Sequence, residues 1–294
     1  MSHPYSTVKQ KFRRVATFGV SLVVFAADCV RLAIHSLTGH KLPSRTVILY
    51  YHSVPKEQKA AFARQMDKLI HCSEPRRADA VASNSAGVRY SVVTFDDGYQ
   101  NILESALPEL ARRGIPATIF IVPGALGVTP NWEDYSGGTD LAMHEPIVTE
   151  AQLRKLPSDL VQIGSHTLTH PMLPQLSEQQ ARTELSASRA KLEEIIGKRV
   201  TLFSFPYGSF DANLIRWCRD EGYERIFTTV PHMGLSGADE FVVGRVAVEP
   251  DDWTLEFFLK LHGAYRWLAS ASALKRSITA SIGSRKQQGK LATS

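Results

Sequence analysis

Cysteine is scarce in this sequence, and no hydrophobic run is long. The three cysteines, Cys29, Cys72 and Cys218, are odd in number and far apart. This pattern excludes a disulfide framework and a CxxC metal knuckle, although it leaves the redox compartment open. The longest apolar run, Val15 to Ala27, has 13 residues, whereas a spanning helix needs about 20. Length alone therefore does not require a membrane span.

The middle of the chain also lacks an excess of basic residues, although the net charge is +5. Residues 1–27 hold four Lys or Arg and no acid, and residues 257–294 hold seven and no acid. Removing these eleven from the 34 bases leaves 23 against 29 acids, so the remainder carries −6. Nucleic-acid binding needs a basic face on the folded domain, so nucleic acid is not the expected partner. Basic ends suit an anionic membrane surface better.

The N-terminal segment, residues 1–40, joins these bases to the apolar run. Extending the run toward Ile34 would bury Asp28 and Arg31, which is costly in a bilayer. Three membrane-related interpretations remain: a signal-peptide core, a signal anchor with its N-terminus inside, or an amphipathic helix lying on the membrane. An ordinary packed helix is the alternative.

Residues 45–270 alternate short apolar runs with helical patterns, which is typical of parallel βα units in an α/β fold. The predicted strands are Thr46 to Tyr51, Ser91 to Phe95, Ala117 to Val122, Val161 to Gly164, Val200 to Phe205, Arg225 to Thr229 and Val242 to Val248. The predicted helices are Ala60 to His71, Ile102 to Arg113, Glu150 to Leu156, Glu178 to Ile196, Ala212 to Glu221 and Thr254 to Leu268. Capping-box spacing supports the helix starts after Thr149 and Ser177. Residues 123–148 are predicted to be a loop and residues 271–294 a basic, disordered tail.

Polar residues follow several of the predicted strands. His52 follows the first, the pair Asp96 and Asp97 follows the second within TFDDG, and His166 and His170 follow the fourth within GSHTLTHP. FPYG follows the fifth. Each motif alone is also compatible with an ordinary turn. Because the carboxyl ends of parallel strands gather at one face, their joint occurrence predicts a site there.

The two histidines indicate a metal site. His166 and His170, at i and i+4, can bind one metal ion, and an aspartate as third ligand leaves coordination positions open. Such a set is typical of a hydrolytic site and suits Zn²⁺ most simply, with Co²⁺, Ni²⁺, Mn²⁺ or Fe²⁺ as alternatives. With Asp97 as that ligand, Asp96 is left to take a proton from water. The backbone N–H of Tyr207 is a candidate donor to the resulting oxyanion, so hydrolysis of an amide or ester is predicted.

Together, TFDDG, SHTLTH and FPYG resemble the first three motifs of the polysaccharide deacetylases of the NodB-homology type, carbohydrate esterase family 4. The resemblance covers roughly Thr46 to Leu268 and implies a distorted (β/α) barrel of seven or eight strands. It implies metal-dependent removal of N-acetyl, sometimes O-acetyl, groups from polysaccharides of N-acetylglucosamine or related sugars. By position, Asp96 would be the general base.

By the same carry-over, the resemblance implies that Asp97, His166 and His170 hold the metal. The family usually has a base-orienting arginine two residues before the proline of its third motif, where this sequence has Ser204. We hypothesise that Arg245, on the last predicted strand, reaches the same place.

The histidine that acts as general acid in this family has no secure match here. His262 lies in a helical pattern and looks like part of a terminal helix. His52 is the better candidate for an acid or a substrate contact, with a merely supporting histidine as the alternative interpretation.

Aromatic residues near the motifs are candidate substrate contacts. Pro206 and Tyr207 belong to the third motif, and Trp253 is a candidate for lining an acetyl pocket. Trp132 and Tyr135, in the long loop, are candidates for stacking on sugar rings, although both could simply pack the loop down.

The early YYHSV and the FPYG without its arginine resemble the branch found with bacterial exopolysaccharide synthesis. This implies a location at the bacterial cell envelope, at the inner membrane facing the periplasm or the exterior, with the cytoplasm as the alternative. The expected partners are a polysaccharide or oligosaccharide and a membrane surface, while the oligomeric state is left open. Two other functions remain compatible with the motifs: a glycan-binding pseudoenzyme, and an amidohydrolase or esterase of a small molecule.

Overall fold

We describe the protein from a computed structural model, in which residues 8–39, 44–80, 87–132, 145–232 and 240–271 are described. Tyr135 and nearly all of the predicted tail lie outside these residues. Most of the described chain forms one parallel sheet surrounded by helices.

The sheet has nine strands, and all of its pairings are parallel. The strands are β1 Arg45–Tyr51, β2 Glu74–Pro75, β3 Arg89–Phe95, β4 Ala117–Ile121, β5 Val161–Ser165, β6 Leu202–Ser204, β7 Arg225–Thr228, β8 Val242–Gly244 and β9 Val246–Ala247. Their spatial order is β8-β7-β6-β5-β4-β3-β1-β9, with the short β2 paired to β3 outside this path.

The two edges of the sheet meet in one continuous segment of chain. β8 pairs with β7 at one edge and β9 pairs with β1 at the other, and only Arg245 separates β8 from β9. The sheet is thus nearly closed into a barrel, which confirms the expected distorted (β/α) fold with its N-terminal apolar helix. The prediction of one unbroken strand from Val242 to Val248 is wrong, because the chain leaves one edge and joins the other at Arg245.

The barrel strands are rich in apolar residues because both of their faces are covered. In β1 and β3, Leu49, Val93 and Phe95 are fully buried. β4 is buried at all five positions. A strand of this kind shows no alternation in sequence, and its boundaries are therefore set by the polar residues that follow it.

Seven α-helices precede the final described stretch, residues 262–271. They are α1 Val8–Leu37, α2 Lys59–Cys72, α3 Leu107–Arg113, α4 Glu150–Leu153, α5 Glu178–Ile196, α6 Ala212–Asp220 and α7 Thr254–Leu261. A π-helical turn, Ile102–Ala106, leads into α3. Both predicted capping boxes are present, at Thr149 before α4 and at Ser177 before α5.

The last predicted helix is shorter than expected. α7 ends at Leu261 rather than Leu268, because the chain turns over residues 262–266 before a further helical stretch begins. Gly263 in this turn has a φ of 69°, a left-handed conformation that glycine adopts without steric cost. The Nε2 atom of His262 lies 2.8 Å from Nη1 of Arg89, the first residue of β3. His262 is therefore at the end of the barrel opposite to the strand ends that carry the motifs.

Candidate active site

The residues that follow β3 and β5 come together at the carboxyl end of the barrel. Oδ1 of Asp97 lies 3.3 Å from Nε2 of His166 and 3.4 Å from Nε2 of His170. Asp96, Asp97 and both histidines are buried, with at most 4% of any residue exposed. The predicted cluster of two carboxylates and two imidazoles is thus present as one compact group.

The geometry of Asp97, His166 and His170 fits a divalent metal ion. Ligand atoms about 2.0–2.1 Å from a tetrahedral ion lie about 3.3–3.4 Å apart, which matches both distances to Asp97. Nδ1 of His166 lies 2.8 Å from the carbonyl oxygen of Ser204 and can only donate to it. In a neutral His166 the proton is then on Nδ1, so the lone pair of Nε2 points toward the carboxylate of Asp97. Nε2 and Oδ1 are both electron-rich, and such atoms face each other when they bind the same cation.

The backbone of the site is held in an uncommon conformation. Among the described residues, four non-glycine residues have a positive φ: Asp97, Thr167, His170 and Tyr207, at 58–70°, and all belong to the three motifs. Such conformations are costly for residues other than glycine and tend to occur at functional sites. At Asp97 the left-handed turn lets two successive carboxylates, which would point to opposite faces of a regular strand, serve the same cavity.

Arg245 holds the carboxylate of Asp96 with two parallel hydrogen bonds. Nη1 donates to Oδ1 and Nη2 donates to Oδ2, each at 2.7 Å. Nη2 also donates to Oγ of Ser204 at 2.7 Å, and Nη1 donates to Oγ1 of Thr94 at 3.1 Å. The guanidinium is fully buried and lies 4.6 Å from the ring centre of Tyr50. The position between β8 and β9 thus places Arg245 beside Ser204, where the resemblance predicts an arginine.

Burial and charge oppose each other at the two carboxylates. Burial raises the pKa of Asp96, but the charge of Arg245 and that of His166 outweigh it, so the pKa lies below its ordinary value. Burial likewise raises the pKa of Asp97, while the contacts with His166 and His170 lower it further than burial raises it. Both carboxylates are therefore ionised at neutral pH, as a metal ligand and a proton acceptor both need to be.

The two imidazoles respond in opposite directions to the same environment. Burial lowers the pKa of His170 below its ordinary value. At His166 the contact with Asp97 and the charge of Asp96 outweigh burial, and the pKa is raised. The difference follows from the neighbours: the charge of Asp96 and the carbonyl oxygen of Ser204 favour the charged form of His166, whereas the charge of His166 disfavours the charged form of His170.

Glu184, on α5, holds the turn that carries the two histidines. Oε2 accepts hydrogen bonds from the backbone N–H groups of Leu168 and Thr169 at 2.8 and 2.9 Å. Oε1 accepts one from the hydroxyl of Thr169 at 2.7 Å. Glu184 could not be predicted from the sequence, because a glutamate on a polar helix face gives no sign of a contact 15 residues away.

Replacing Glu184 is expected to weaken metal binding without unfolding the protein. In Glu184→Gln one amide N–H₂ group would face backbone N–H donors, so the turn between His166 and His170 loses its fixed shape. Losses of such supporting contacts typically cost about 10–100-fold in metal affinity. Zinc titration against a competing chelator measures the change.

Glu178→Gln is the matched control for that titration, because Glu178 lies on the same helix and forms an ion pair with Arg182 at its exposed surface. Equal zinc affinities in the two variants would contradict the role given to Glu184.

The third motif and the long loop flank His170. The ring of Tyr207 meets the His170 ring edge-on at 4.7 Å between centres. Trp132 stacks on the same imidazole, with 4.0 Å between ring centres and 24° between the planes. Pro206 is buried in the turn that carries Tyr207. These residues form an aromatic wall around one of the candidate metal ligands.

Two further predicted site residues, His52 and Trp253, have different surroundings in the structure. His52 follows β1, and its ring lies 5.6 Å from the ring of Tyr50, which in turn lies against the guanidinium of Arg245. Trp253 instead packs edge-on against Phe18 of α1, with 5.6 Å between ring centres. This contact ties its ring to the N-terminal helix, and the role of Trp253 in an acetyl pocket stays a prediction.

Comparison with known proteins identifies a protein family that this chain matches. Residues 83–226 match the protein family described as polysaccharide deacetylase. Over 219 residues the chain is 26% identical to YxkH of Bacillus subtilis (strain 168), which is provisionally named a polysaccharide deacetylase. The match covers 71% of this chain and 73% of that protein.

Solved structures share the fold. IcaB from Ammonifex degensii superposes with a TM-score of 0.60 at 23% identity, covering 76% of this chain and 98% of IcaB. The Streptococcus pyogenes deacetylase PplD, solved in complex with acetate, gives a TM-score of 0.58 at 17% identity over 75% of this chain and 98% of PplD.

Proposed function

We propose that this chain, which belongs to the polysaccharide deacetylase family, hydrolyses N-acetyl groups of a bacterial polysaccharide at the site beside Asp96. One observation carries the proposal: a buried Asp97, His166 and His170 cluster stands next to a separate carboxylate that Arg245 holds in a fixed orientation. A binding protein needs no ionised carboxylate beside a metal cluster, whereas hydrolysis needs a proton acceptor there.

Asp97, His166 and His170 are the proposed metal ligands, and Zn²⁺ is the ion that this donor set suits most simply. A divalent ion at this position supplies polarisation of the acetyl carbonyl and acidification of water. His166 is prepared for this role by Ser204, whose carbonyl oxygen fixes the ring. His170 is held by the ring contacts with Trp132 and Tyr207.

Asp96 is the proposed general base. Its carboxylate is ionised at neutral pH, since Arg245 keeps its pKa below the ordinary value, so it can take the proton of the attacking water. The paired hydrogen bonds from Arg245 fix the plane of the carboxylate. We assign to Arg245 the orienting role that an arginine at position 204 would otherwise have.

The remaining groups complete the substrate site. The backbone N–H of Tyr207 is the proposed donor to the oxyanion of the tetrahedral intermediate, since the left-handed φ of 58° turns this peptide away from a regular path. Trp132 and Pro206 are proposed to line the sugar and acetyl positions. His52 is proposed to donate the proton that the departing amine needs.

We propose that residues 45–270 form the catalytic domain, that residues 1–40 contain the N-terminal helix and that residues 271–294 form a basic tail. One helix, Lys11–Leu37, is long and apolar enough to cross a membrane by composition. We propose a location at the cell envelope, where a surface polysaccharide is within reach.

Acetate release tests this function. The full chain is incubated with N-acetylglucosamine oligomers and with an N-acetylated bacterial polysaccharide, before and after removal of metal by a chelator. We expect release that stops on chelation and returns when zinc is added. Release that survives complete chelation would exclude the proposed mechanism. Absence of release from every N-acetylated glycan, with each of the candidate metals, would favour a glycan-binding protein.

A further inference from the structure

The N-terminal helix α1 presents a long apolar face to solvent. Of the twelve large apolar side chains that are exposed among the described residues, eight lie on α1. They are Phe12, Val15, Val20, Leu22, Val23, Val30, Ile34 and Leu37, and Val23 is 69% exposed. No exposed side chain from 15 to 30 carries a charge. An apolar surface of this length on a folded domain marks a binding face.

The opposite face of α1 is docked on the barrel through specific contacts. The docked residues follow one another at intervals of four, three, four and three positions, which keeps them on one side of the helix. They are Arg14, Phe18, Ser21, Phe25 and Asp28. At one end, Nε and Nη2 of Arg14 donate to Oε2 of Glu256 on α7 at 2.9 and 2.7 Å. In the middle, Oγ of Ser21 accepts a hydrogen bond from Nε1 of Trp267 at 3.0 Å.

Asp28 fixes the other end of the docked face. Its two carboxylate oxygens accept hydrogen bonds from Nη1 and Nη2 of Arg266 at 2.6 and 2.8 Å. Nη1 of Arg45 lies 3.8 Å from the same carboxylate. Asp28 is only 7% exposed, so it is paired and buried against the domain.

Apolar rings strengthen the same contact. Phe25 meets the rings of Phe258 and His262 edge-on, with ring centres 5.4 and 5.3 Å apart. Phe18 packs against Trp253 nearer the N-terminal end of α1.

This arrangement conflicts with a transmembrane span. To cross a bilayer, α1 would have to leave α7, and Asp28 would then lose its arginine partners while entering the hydrocarbon region together with Arg31. Unpaired charges at that depth are unfavourable. A helix lying at the surface keeps every one of these contacts and buries only its apolar face.

Charge identifies the occupant of the exposed face as an anionic lipid surface. Lys11 and Arg13 are exposed beside this face, and residues 1–27 contain no acidic residue. A second copy packed in parallel would bring the same basic ends together, which is repulsive, and an antiparallel copy would leave them without a partner of opposite charge, whereas anionic headgroups attract them. Trp253 and Leu255, 46% and 48% exposed, add aromatic and apolar surface near Arg14, as is common at a lipid interface.

We propose that the outer face of α1 binds a bilayer containing anionic lipid, with α1 lying along the surface while its inner face stays docked on α7. α1 runs in the same direction as α7, from Arg14 near the start of α7 to Asp28 near the turn after it. The side of the barrel that carries α7 and α1 then faces the bilayer. The active-site end of the barrel opens parallel to the membrane surface. This inference does not depend on the deacetylase activity.

Flotation with lipid vesicles tests the binding face. The full chain is synthesised in the presence of vesicles of phosphatidylethanolamine, with or without phosphatidylglycerol. We expect Val23→Asp to lower the bound fraction by about tenfold, and Lys11→Glu with Arg13→Glu to abolish the preference for phosphatidylglycerol. The matched control is Ile70→Asp, at a helix position that is 44% exposed outside α1, and it should float like the wild type.

Cysteine labelling decides between lying and spanning. Lys11→Cys and Ser36→Cys are introduced singly into full chains whose natural cysteines are replaced by serine. In spheroplasts of expressing cells, a membrane-impermeant maleimide should label both positions or neither, and detergent should expose both.

Three results would overturn the proposal. They are labelling of only one position, cleavage of the chain before residue 37, and flotation of Val23→Asp equal to that of the wild type.

Discussion

Asp96→Asn is expected to lower the rate of acetate release by about 10²–10⁴-fold, the usual contribution of a general base. The amide keeps the size of the carboxylate but cannot take a proton from water. Because Asp96 lies outside the Asp97, His166 and His170 cluster, zinc affinity should stay close to that of the wild type. Initial rates of acetate release at saturating substrate measure the effect.

Asp159→Asn, a change at an exposed carboxylate, serves as the control and should keep full activity. If Asp96→Asn turns over at the rate of the wild type, a different group accepts the proton, and the role given to this carboxylate is wrong.

Arg245→Ala is expected to affect both stability and catalysis. Removing one partner of a buried ion pair leaves the other charge uncompensated, which typically destabilises a protein by about 3–5 kcal/mol. Catalysis should fall as well, because the plane of the Asp96 carboxylate is no longer fixed. Urea unfolding and acetate release, measured on the same preparations, check the two effects.

The pH dependence separates orientation from loss of fold. In the wild type the lowered pKa of Asp96 means that the stabilising contribution of its carboxylate is present above the ordinary aspartate pKa and is lost as the pH falls through the lowered value. Without Arg245, the largest contribution that opposes burial is lost, so this pKa rises and the acid limb of the activity profile should move to higher pH. An unchanged limb would contradict the contact between Arg245 and Asp96.

Two related variants sharpen this test. Arg245→Lys keeps the charge but not the two parallel hydrogen bonds, so it should recover more stability than activity. Ser204→Arg combined with Arg245→Ser returns the guanidinium to the position that the resemblance predicts. Partial rescue of activity by this exchange, relative to Arg245→Ser alone, is the expected result.

Much of the fold follows from local sequence signals. Apolar runs predict the main barrel strands because those strands are buried on both faces, and Ser177 and Thr149 mark helix starts because their side chains bond to the third residue of the helix. The break at Arg245 is not a local signal. It depends on where the two edges of the sheet meet, which is set by the barrel as a whole.

Some residues of the candidate site can also be predicted from local sequence signals, and others cannot. TFDDG and SHTLTH predict the grouping of Asp97 with His166 and His170, since these residues follow parallel strands. Glu184 leaves no such trace, because its partners are backbone N–H groups exposed only by the left-handed turn between the histidines. The contact between Trp253 and Phe18 leaves no trace either, because it depends on how α1 docks, and the sequence does not encode that locally.

The division of labour between the two adjacent aspartates is tested most directly by metal content. Asp96→Asn and Asp97→Asn are purified with zinc supplied, and bound zinc and acetate release are measured on each. We expect Asp96→Asn to retain about one zinc per chain without turnover. We expect Asp97→Asn to retain neither zinc nor activity, as the division of roles between the two aspartates requires. Loss of zinc from Asp96→Asn, or an active Asp97→Asn, would contradict it.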